Sequence, residues 1–425
     1  MRVIIAGGGF AGLQLAKRLN DKEGIEVLLI DKLNFHQFQP LFYQVATAGL
    51  DASNISFPLR KVFQNSKNIR IRLADITEIK TAENIVVTAN DEFKYDVLVI
   101  ATGANTNFFN NANLQGKSFP MKTTIEALQI KYHLIKNLEE ALDIKDKEEL
   151  RQKLSVVVAG GGPTGVELSG AIAEMRNKIL PRDYPEIDFS VMDIHLVEGS
   201  PRTLAAMSEK SSSQSRRYLE RLGVKVRTET HVKDYDGDKV LLQNGDTIPA
   251  KTVIWAAGIK GNVPKGIDKD LVARGNRIKV DRQNRVQGFE HVYAIGDVAY
   301  METPKYPNGH PQVANVAINQ GKNLAKNLIR QVNGNKHYQD EFEYHDKGSL
   351  ATVGRNLAVV DFPKNRGHLG GFVAWVIWMV LHLVLILGVK NRLQIFVNWV
   401  YKYFTYDQSL RLLFKDFYSK QANEE

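Results

Sequence analysis

An α/β fold of two sheet-and-helix units followed by a helical C-terminal region is predicted from three observations. A strand–glycine turn–helix pattern opens the chain. The same pattern returns 153 residues later, and a twenty-residue apolar run stands near the C-terminus. The 425 residues suffice for two or three domains, and 44% hydrophobic with 24% charged residues is an ordinary globular composition.

The first pattern is MRVIIAGGGFAGLQLAKRL. Val3 to Ala6 reads as a buried strand, and Leu13, Ala16 and Leu19 follow at helical spacing. Gly7, Gly9 and Gly12 between them match G-x-G-x-x-G, with Phe10 and Ala11 filling the turn. Gly7 permits the tight turn, Gly9 lets the backbone approach a pyrophosphate, and Gly12 lets helix and sheet pack closely. A pyrophosphate there meets the free N–H groups of the helix N-terminus. A second strand, Glu26 to Ile30, ends at Asp31, beside Lys32. Asp31 lies 24 residues after Gly7, near the position of a ribose-binding carboxylate.

The second pattern runs from the strand Leu154–Ala159 through Gly160, Gly162, Pro163, Thr164 and Gly165 into a helix from Val166 to Met175. Its following strand, Asp193 to Val197, ends at Glu198, 38 residues after Gly160. The extra length falls in NKILPRDYPEIDFSVMD, an insertion of a kind that loops tolerate. A carboxylate at Glu198 accepts from ribose hydroxyls and repels a 2′-phosphate, which favours NADH over NADPH; Arg202 nearby weakens that preference. Two such fingerprints predict two Rossmann-type dinucleotide-binding domains, one for noncovalent FAD and one for NADH, and a nicotinamide that reduces a flavin.

Three further strands end in small residues that permit close cofactor approach. They run into Ala101-Thr102-Gly103, into Ala257-Gly258 and into Gly296-Asp297. The expected organisation is an FAD-binding domain over 1–115 and 263–345, an NADH-binding domain over 116–262, and a separate C-terminal region over 346–425.

The absence of cysteine excludes structural disulfides, thiolate metal sites and redox-active thiol pairs. No metal site is expected. The net charge of +9 suits nucleic acid, an anionic membrane surface, or an uncommitted basic enzyme surface. No nucleic-acid partner is predicted. The chain opens directly into a strand without a signal peptide, which points to a cytoplasmic catalytic body.

The order GGGFAG, VIATG, GGGPTGVE, WAAG and YAIGD resembles the two-dinucleotide-binding-domain flavoproteins. In that superfamily the aspartate at Asp297 contacts the flavin's ribityl–pyrophosphate portion; a helix N-cap is the plainer role. The disulfide reductase and sulfide:quinone branches need cysteines, which this chain lacks. Asn34–Ala46, Ala314–Gly321 and Lys347–Gly354 resemble type II NADH dehydrogenases, and the likeness spans essentially the whole chain. It implies that Ala317 to Gly321 lie beside flavin and quinone, with Gln320 contacting the quinone, against the alternative of a satisfied helix amide. Glu167, in the first turn of the second fingerprint helix, is either a proton relay in an apolar cleft or a structural acid at a helix N-terminus. Lys347 either neutralises flavin or gates the site, or is a solvated lysine.

Gly370 to Val389 reads GGFVAWVIWMVLHLVLILGV, long enough to reach the transmembrane threshold of about 20 residues. It can span a bilayer, lie in one leaflet, or be buried. A following amphipathic stretch, with apolar Leu393, Ile395, Phe396, Val397, Trp399, Val400, Tyr403 and Phe404, favours monotopic attachment, as the resemblance also implies. Lys390, Arg392, Lys402, Arg411, Lys415 and Lys420 are expected as a basic rim for anionic phospholipid headgroups. No row of intramembrane carboxylates or lysines exists to carry protons across the bilayer. The predicted protein is therefore a monotopic NADH:quinone oxidoreductase on the cytoplasmic face of the cell membrane, without proton pumping. The apolar C-terminus also suits a homodimer. A soluble reductase of a ferredoxin-like partner and a non-enzymatic flavin-bound sensor are the rival expectations.

Overall fold

The computed structural model describes residues 1–334, 340–363, 366–407 and 410–413. They form two compact units: Met1–Gln37, Ser56–Asn107 and Ile259–Asp346 in the first, and Phe38–Ile55, Phe108–Gly258 and Lys347 onward in the second.

The first unit is built on a five-stranded parallel sheet. Its order is Val292–Ala294, Val97–Ile100, Arg2–Ala6, Glu26–Asp31, Ile69–Leu73. Val3–Ala6 and Val97–Ile100 are apolar and buried, as a sheet covered on both faces requires. Arg2–Ala6 pairs forward in sequence on one side (Val3 with Val27) and across the switch on the other (Val3 with Val97). The glycine turn after Ala6 therefore stands at the point where strand order reverses, where open α/β sheets bind ligands. The fingerprint helix Phe10–Leu19 packs on the helix Ala314–Val332. Gly321 makes this approach possible, because a Cβ there would come 2.6 Å from the Ala11 carbonyl oxygen.

The second unit repeats the plan: Phe119–Pro120, Thr252–Trp255, Val156–Ala159, Ile194–Val197, Val224–Arg227, all parallel. Its fingerprint helix runs Pro163–Lys178, longer than the sequence suggested at both ends. The insertion that follows is packed: Ile179, Leu180, Phe189 and Val191 are buried, the last two in a short 3-10 turn. Against this helix lies an antiparallel sheet of Ser349–Gly354, Leu357–Asp361 and His368–Gly370.

The apolar C-terminal run does not form one helix. It makes a helix Phe372–Leu385, breaks at Gly388 (φ +80°), and continues as a second helix Val389–Thr405. At about 1.5 Å per residue the first helix is about 21 Å long, short of the about 30 Å of a bilayer core. Among the described residues no helix is long and apolar enough to cross a membrane. The first helix turns Ala374, Trp378 and His382 inward, and the second turns Ile395 and Trp399 inward. Their other faces leave Val380, Val384, Leu385, Val389, Phe396 and Phe404 exposed.

Candidate functional site

The two glycine turns are closed by the same device. In the first unit, the backbone N–H of Gly8 donates to Oδ2 of Asp31 at 2.5 Å, and Leu33 N–H donates to Oδ1 at 2.7 Å. In the second, Gly161 N–H donates to Oε2 of Glu198 at 2.5 Å, and Ser200 N–H donates to Oε1 at 2.7 Å. Each carboxylate thus spans the middle glycine and the residue two beyond itself. It keeps further lone pairs for a ribose hydroxyl. Gly7 and Gly160 both have positive φ (113° and 109°), and a Cβ on either would strike the end of the neighbouring strand at Ala101 or Ala256. At Gly9 and Gly162, the helix N-caps, a Cβ would meet nothing within 4 Å. Open space at a helix N-cap leaves the free N–H groups accessible to a pyrophosphate.

The remaining predicted cofactor contacts gather in the same two places. In the first unit, Thr102 is tied to Asn262 by its hydroxyl at 2.5 Å, and Gly103 has φ +69°. A Cβ on Gly296 (φ +76°) would lie 3.1 Å from Ala11 Cβ and 3.5 Å from Ala317 Cβ, so these three residues converge. Asp297 follows in the turn Gly296–Val298, and Lys32 is exposed beside Asp31. In the second unit, Pro163 and Thr164 are exposed at the start of the fingerprint helix, and Ala257 and Gly258 end the strand alongside.

Gln320 is only 1% exposed, and its Oε1 accepts from Gly296 N–H at 2.7 Å. The amide is therefore engaged in holding the Gly296-Asp297 turn. Asn319, one residue earlier, donates to the Asn315 carbonyl at 2.8 Å. Lys347 is exposed ahead of the strand Ser349–Gly354.

Glu167 lines a partly open pocket of about 80 Å³. Its walls come from the fingerprint helix, the strand Ser349–Gly354, the short helix Phe42–Ala46 and both C-terminal helices. Aromatic side chains dominate: Tyr43, Trp375, Trp378, Trp399, Tyr403 and Tyr406. Burial pushes the Glu167 carboxyl up to about 8, against the opposing pull of Thr352 N–H and the Trp378 indole. Seven residues along the same helix, Glu174 is also raised by burial, opposed by Lys402 and by the backbone N–H and charge of Arg355. Burial lowers Lys402, with Glu174 opposing. Arg355 stacks between Tyr403 and Tyr406 at 4.0 and 4.1 Å.

The expected basic rim is mostly committed elsewhere. Lys402 faces the pocket and Glu174, and Arg411 pairs with Asp183. Arg392 folds back onto the carbonyls of Ile386 and Val384, at 2.8 and 3.0 Å. Lys390 is exposed, and Lys415 and Lys420 lie outside the described residues.

Two groups of side chains at these places carry no glycine-fingerprint signal. His36 donates from Nδ1 to the Gly8 carbonyl at 3.0 Å and is 3% exposed. Burial holds it near 4, neutral at ordinary pH. It buttresses the first glycine turn from the side opposite Asp31; at the second turn the Leu204 backbone N–H takes that place, at 2.8 Å from the Gly161 carbonyl. The pocket's indoles, Trp375, Trp378 and Trp399, carry no local signal beyond their apolar helices.

The family model for the pyridine nucleotide-disulphide oxidoreductases matches residues 1–321, and that for the NDH2 C-terminal domain matches residues 346–406. The type II NADH:quinone oxidoreductase Ndh of Mycobacterium tuberculosis is 32% identical over 415 residues, 94% of this chain and 87% of that protein. The chain belongs to the type II NADH:quinone oxidoreductases. The Staphylococcus aureus type II NADH:quinone oxidoreductase is 27% identical over 370 residues, 84% of this chain and 89% of its own. The solved structure of NDH2 from Plasmodium falciparum in complex with NADH has a TM-score of 0.89, covering 97% of this chain and 99% of that one. At 22% identity this is a likeness of fold. Disulphide chemistry, which the first model's description mentions, is excluded for this type II enzyme because the sequence has no cysteine.

Proposed function

We propose that this chain is an FAD-dependent NADH:quinone oxidoreductase attached peripherally to a membrane. The observation that carries the reading is the pair of glycine turns, each closed by a carboxylate, in a chain whose acidic, aromatic pocket is walled by two apolar C-terminal helices. FAD, when bound, would supply the redox chemistry that couples oxidation of NADH to reduction of quinone.

The chain's own residues bind, orient and hold protons. Residues 1–115 and 263–345, with Asp31, Gly296 and Asp297, take FAD. Residues 116–262, with Glu198 on the ribose, take NADH. Residues 346–425 supply the quinone site and membrane contact. Glu167, buried and raised to about 8, is the proton donor to quinone. At Gln320 a quinone contact falls to the amide nitrogen, because its oxygen already accepts from Gly296. Lys347 has the weakest support, being exposed.

The exposed apolar faces of the two C-terminal helices, Phe404 at 76% and Val389 at 71% among them, suit one leaflet of a bilayer. The attachment is monotopic, on the cytoplasmic side, without proton pumping. Anionic phospholipid is a secondary contributor, since Lys390 is the exposed cation among the described residues of the expected rim that is not drawn to a carbonyl, a pocket or an acid. The apolar C-terminus also suits a homodimer. A reductase serving a soluble ferredoxin-like partner leaves these apolar faces without a purpose.

The test is NADH oxidation by the purified, flavin-loaded protein with a short-chain quinone against a ferredoxin. Rapid quinone-dependent oxidation is expected. A flavin that NADH bleaches and quinone cannot restore would sink the proposal.

A further inference from the structure

Two tryptophans, one on each C-terminal helix, donate their indole N–H inward. Trp399 reaches Oε1 of Gln44 at 2.8 Å, and the Gln44 amide donates to the Tyr43 hydroxyl at 2.8 Å. Trp378 reaches Oε1 of Glu167 at 3.3 Å. The same oxygen accepts from the backbone N–H of Thr352 at 3.4 Å. Both donors therefore meet one oxygen of the carboxyl. A proton placed on that oxygen would face two N–H groups, so the protonated carboxyl keeps Oε1 as its carbonyl oxygen and carries the proton on Oε2.

Trp378 has little freedom to release this bond. It is 2% exposed and stacks on His382 with ring centroids 4.0 Å apart and planes at 27°. Trp399 and Tyr43 flank it at 5.6 and 6.4 Å. The His382 Nδ1–H donates to the Trp378 carbonyl at 2.7 Å, one turn back on the same helix. A carbonyl only accepts, so this bond fixes the imidazole tautomer. Rotating the indole away requires opening the whole cluster, which a close-packed interior resists.

We propose that Trp378 is the positioning residue of Glu167. Carried on the first C-terminal helix, its indole N–H reserves Oε1 as the acceptor oxygen and Oε2 as the oxygen that holds the transferable proton. The proposal rests on the reading of Glu167 as proton donor. In that step the Oε2–H bond breaks and the proton goes to one oxygen of the quinone, while the two electrons and the hydrogen of the other oxygen are the hydride equivalent given up by NADH. The carboxylate then recovers a proton from solvent.

Other titratable groups surround the pocket: Tyr43 on the short helix Phe42–Ala46, Glu174 farther along the fingerprint helix, Arg355 after the strand Ser349–Gly354, Lys402 on the second C-terminal helix, and His382 on the first. Arg355 and Lys402 act on Glu174, whereas Glu167 is governed by burial and its two N–H donors. Removing the indole N–H withdraws a donor that favours the carboxylate, so the carboxyl keeps its proton to higher pH.

The test uses the full-length, flavin-loaded, membrane-attached protein. Quinone-dependent kcat is followed against pH for wild type, Trp378→Phe and Trp378→His. In parallel, the infrared carbonyl band that Glu167→Gln abolishes is titrated in each. In Trp378→Phe the alkaline limb of kcat and the band's midpoint both move up by about one pH unit, with the KM for NADH unchanged. Trp378→His, which restores an N–H, brings both part of the way back. A Trp378→Phe enzyme that is slower with limb and band at the wild-type pH overturns the proposal and leaves Trp378 as packing. If Glu167→Gln keeps the alkaline limb, the donor reading of Glu167 fails. The band then judges Trp378 alone: a shifted midpoint upholds the positioning, and an unshifted one overturns it.

Discussion

Glu198 closes on the backbone N–H of Gly161 at 2.5 Å, with Ser200 N–H on its other oxygen. The carboxylate proposed to meet the NADH ribose therefore also shapes the turn proposed to meet the pyrophosphate. Glu198→Gln keeps an oxygen for Gly161 but loses the charge that repels a 2′-phosphate. Its kcat/KM for NADH is expected to fall about tenfold, as for one lost charge-assisted hydrogen bond, while the NADH-to-NADPH preference narrows. Steady-state kinetics with both nucleotides decide; an unchanged preference ratio places the selectivity elsewhere.

Gln320 makes a different prediction from the one its motif suggests. Its oxygen satisfies the part-buried N–H of Gly296. Gln320→Leu leaves that donor unsatisfied, at about 1–3 kcal/mol, next to the turn that carries Asp297. The variant is expected to purify with reduced flavin content. Flavin absorbance per protein measures this. Full flavin occupancy together with a raised quinone KM would instead favour direct contact with quinone.

The raised pKa of Glu167 has a consequence for stability. Between the ordinary carboxyl value of 4.5 and about 8 the unfolded chain has released this proton while the folded chain still holds it. Stability therefore falls as pH rises through that window, on the order of 1.4 kcal/mol per pH unit. Glu167→Gln has no proton to lose and keeps an oxygen for Trp378 and Thr352. Its Tm is expected to gain on wild type between pH 5 and pH 8. Parallel Tm curves over that range would count against the buried, protonated carboxyl.

Arg392 closes the end of the first C-terminal helix by donating to the carbonyls of Ile386 and Val384. In lipid these carbonyls have no water to turn to. Arg392→Ala is expected to reduce the fraction bound in vesicle flotation severalfold at both low and high salt. Arg392→Lys keeps the charge without the fork geometry and recovers only part. Full recovery by lysine, lost again in salt, would show that headgroup charge matters and carbonyl capping does not.

Close packing between the second fingerprint helix and the strand Ser349–Gly354 depends on Gly170, where a Cβ would overlap the Val353 carbonyl. Gly170→Ala must push the helix from the strand, at about 1–3 kcal/mol, and loosen the Thr352–Glu167 bond. A lowered Tm with slowed quinone reduction is expected. A Tm equal to wild type would mean that the contact is not tight.

The two glycine turns, their flanking strands and the carboxylates Asp31 and Glu198 were readable because each signal is local. A strand, a turn and a helix fall within about twenty residues, and the glycine spacing follows from backbone geometry. The apolar character of 370–389 was equally plain. Its division at Gly388 was not, because a positive-φ glycine inside an apolar run leaves the hydropathy unchanged.

The two sheets, the two glycine turns, the exclusion of thiol chemistry and the apolar C-terminus follow from local pattern and composition. What the polar residues within these elements do follows from how the folded chain packs. Lys402 and Arg392 looked alike as rim cations, yet one faces Glu174 across a pocket and the other caps a helix. Gln320 reads as either a quinone contact or a satisfied helix amide, and in the fold its oxygen accepts from Gly296. Trp378 and Glu167 meet although 211 residues separate them. Hydrophobic period and glycine spacing are fixed by local geometry, whereas a hydrogen-bond partner is fixed by which surfaces the whole chain buries together.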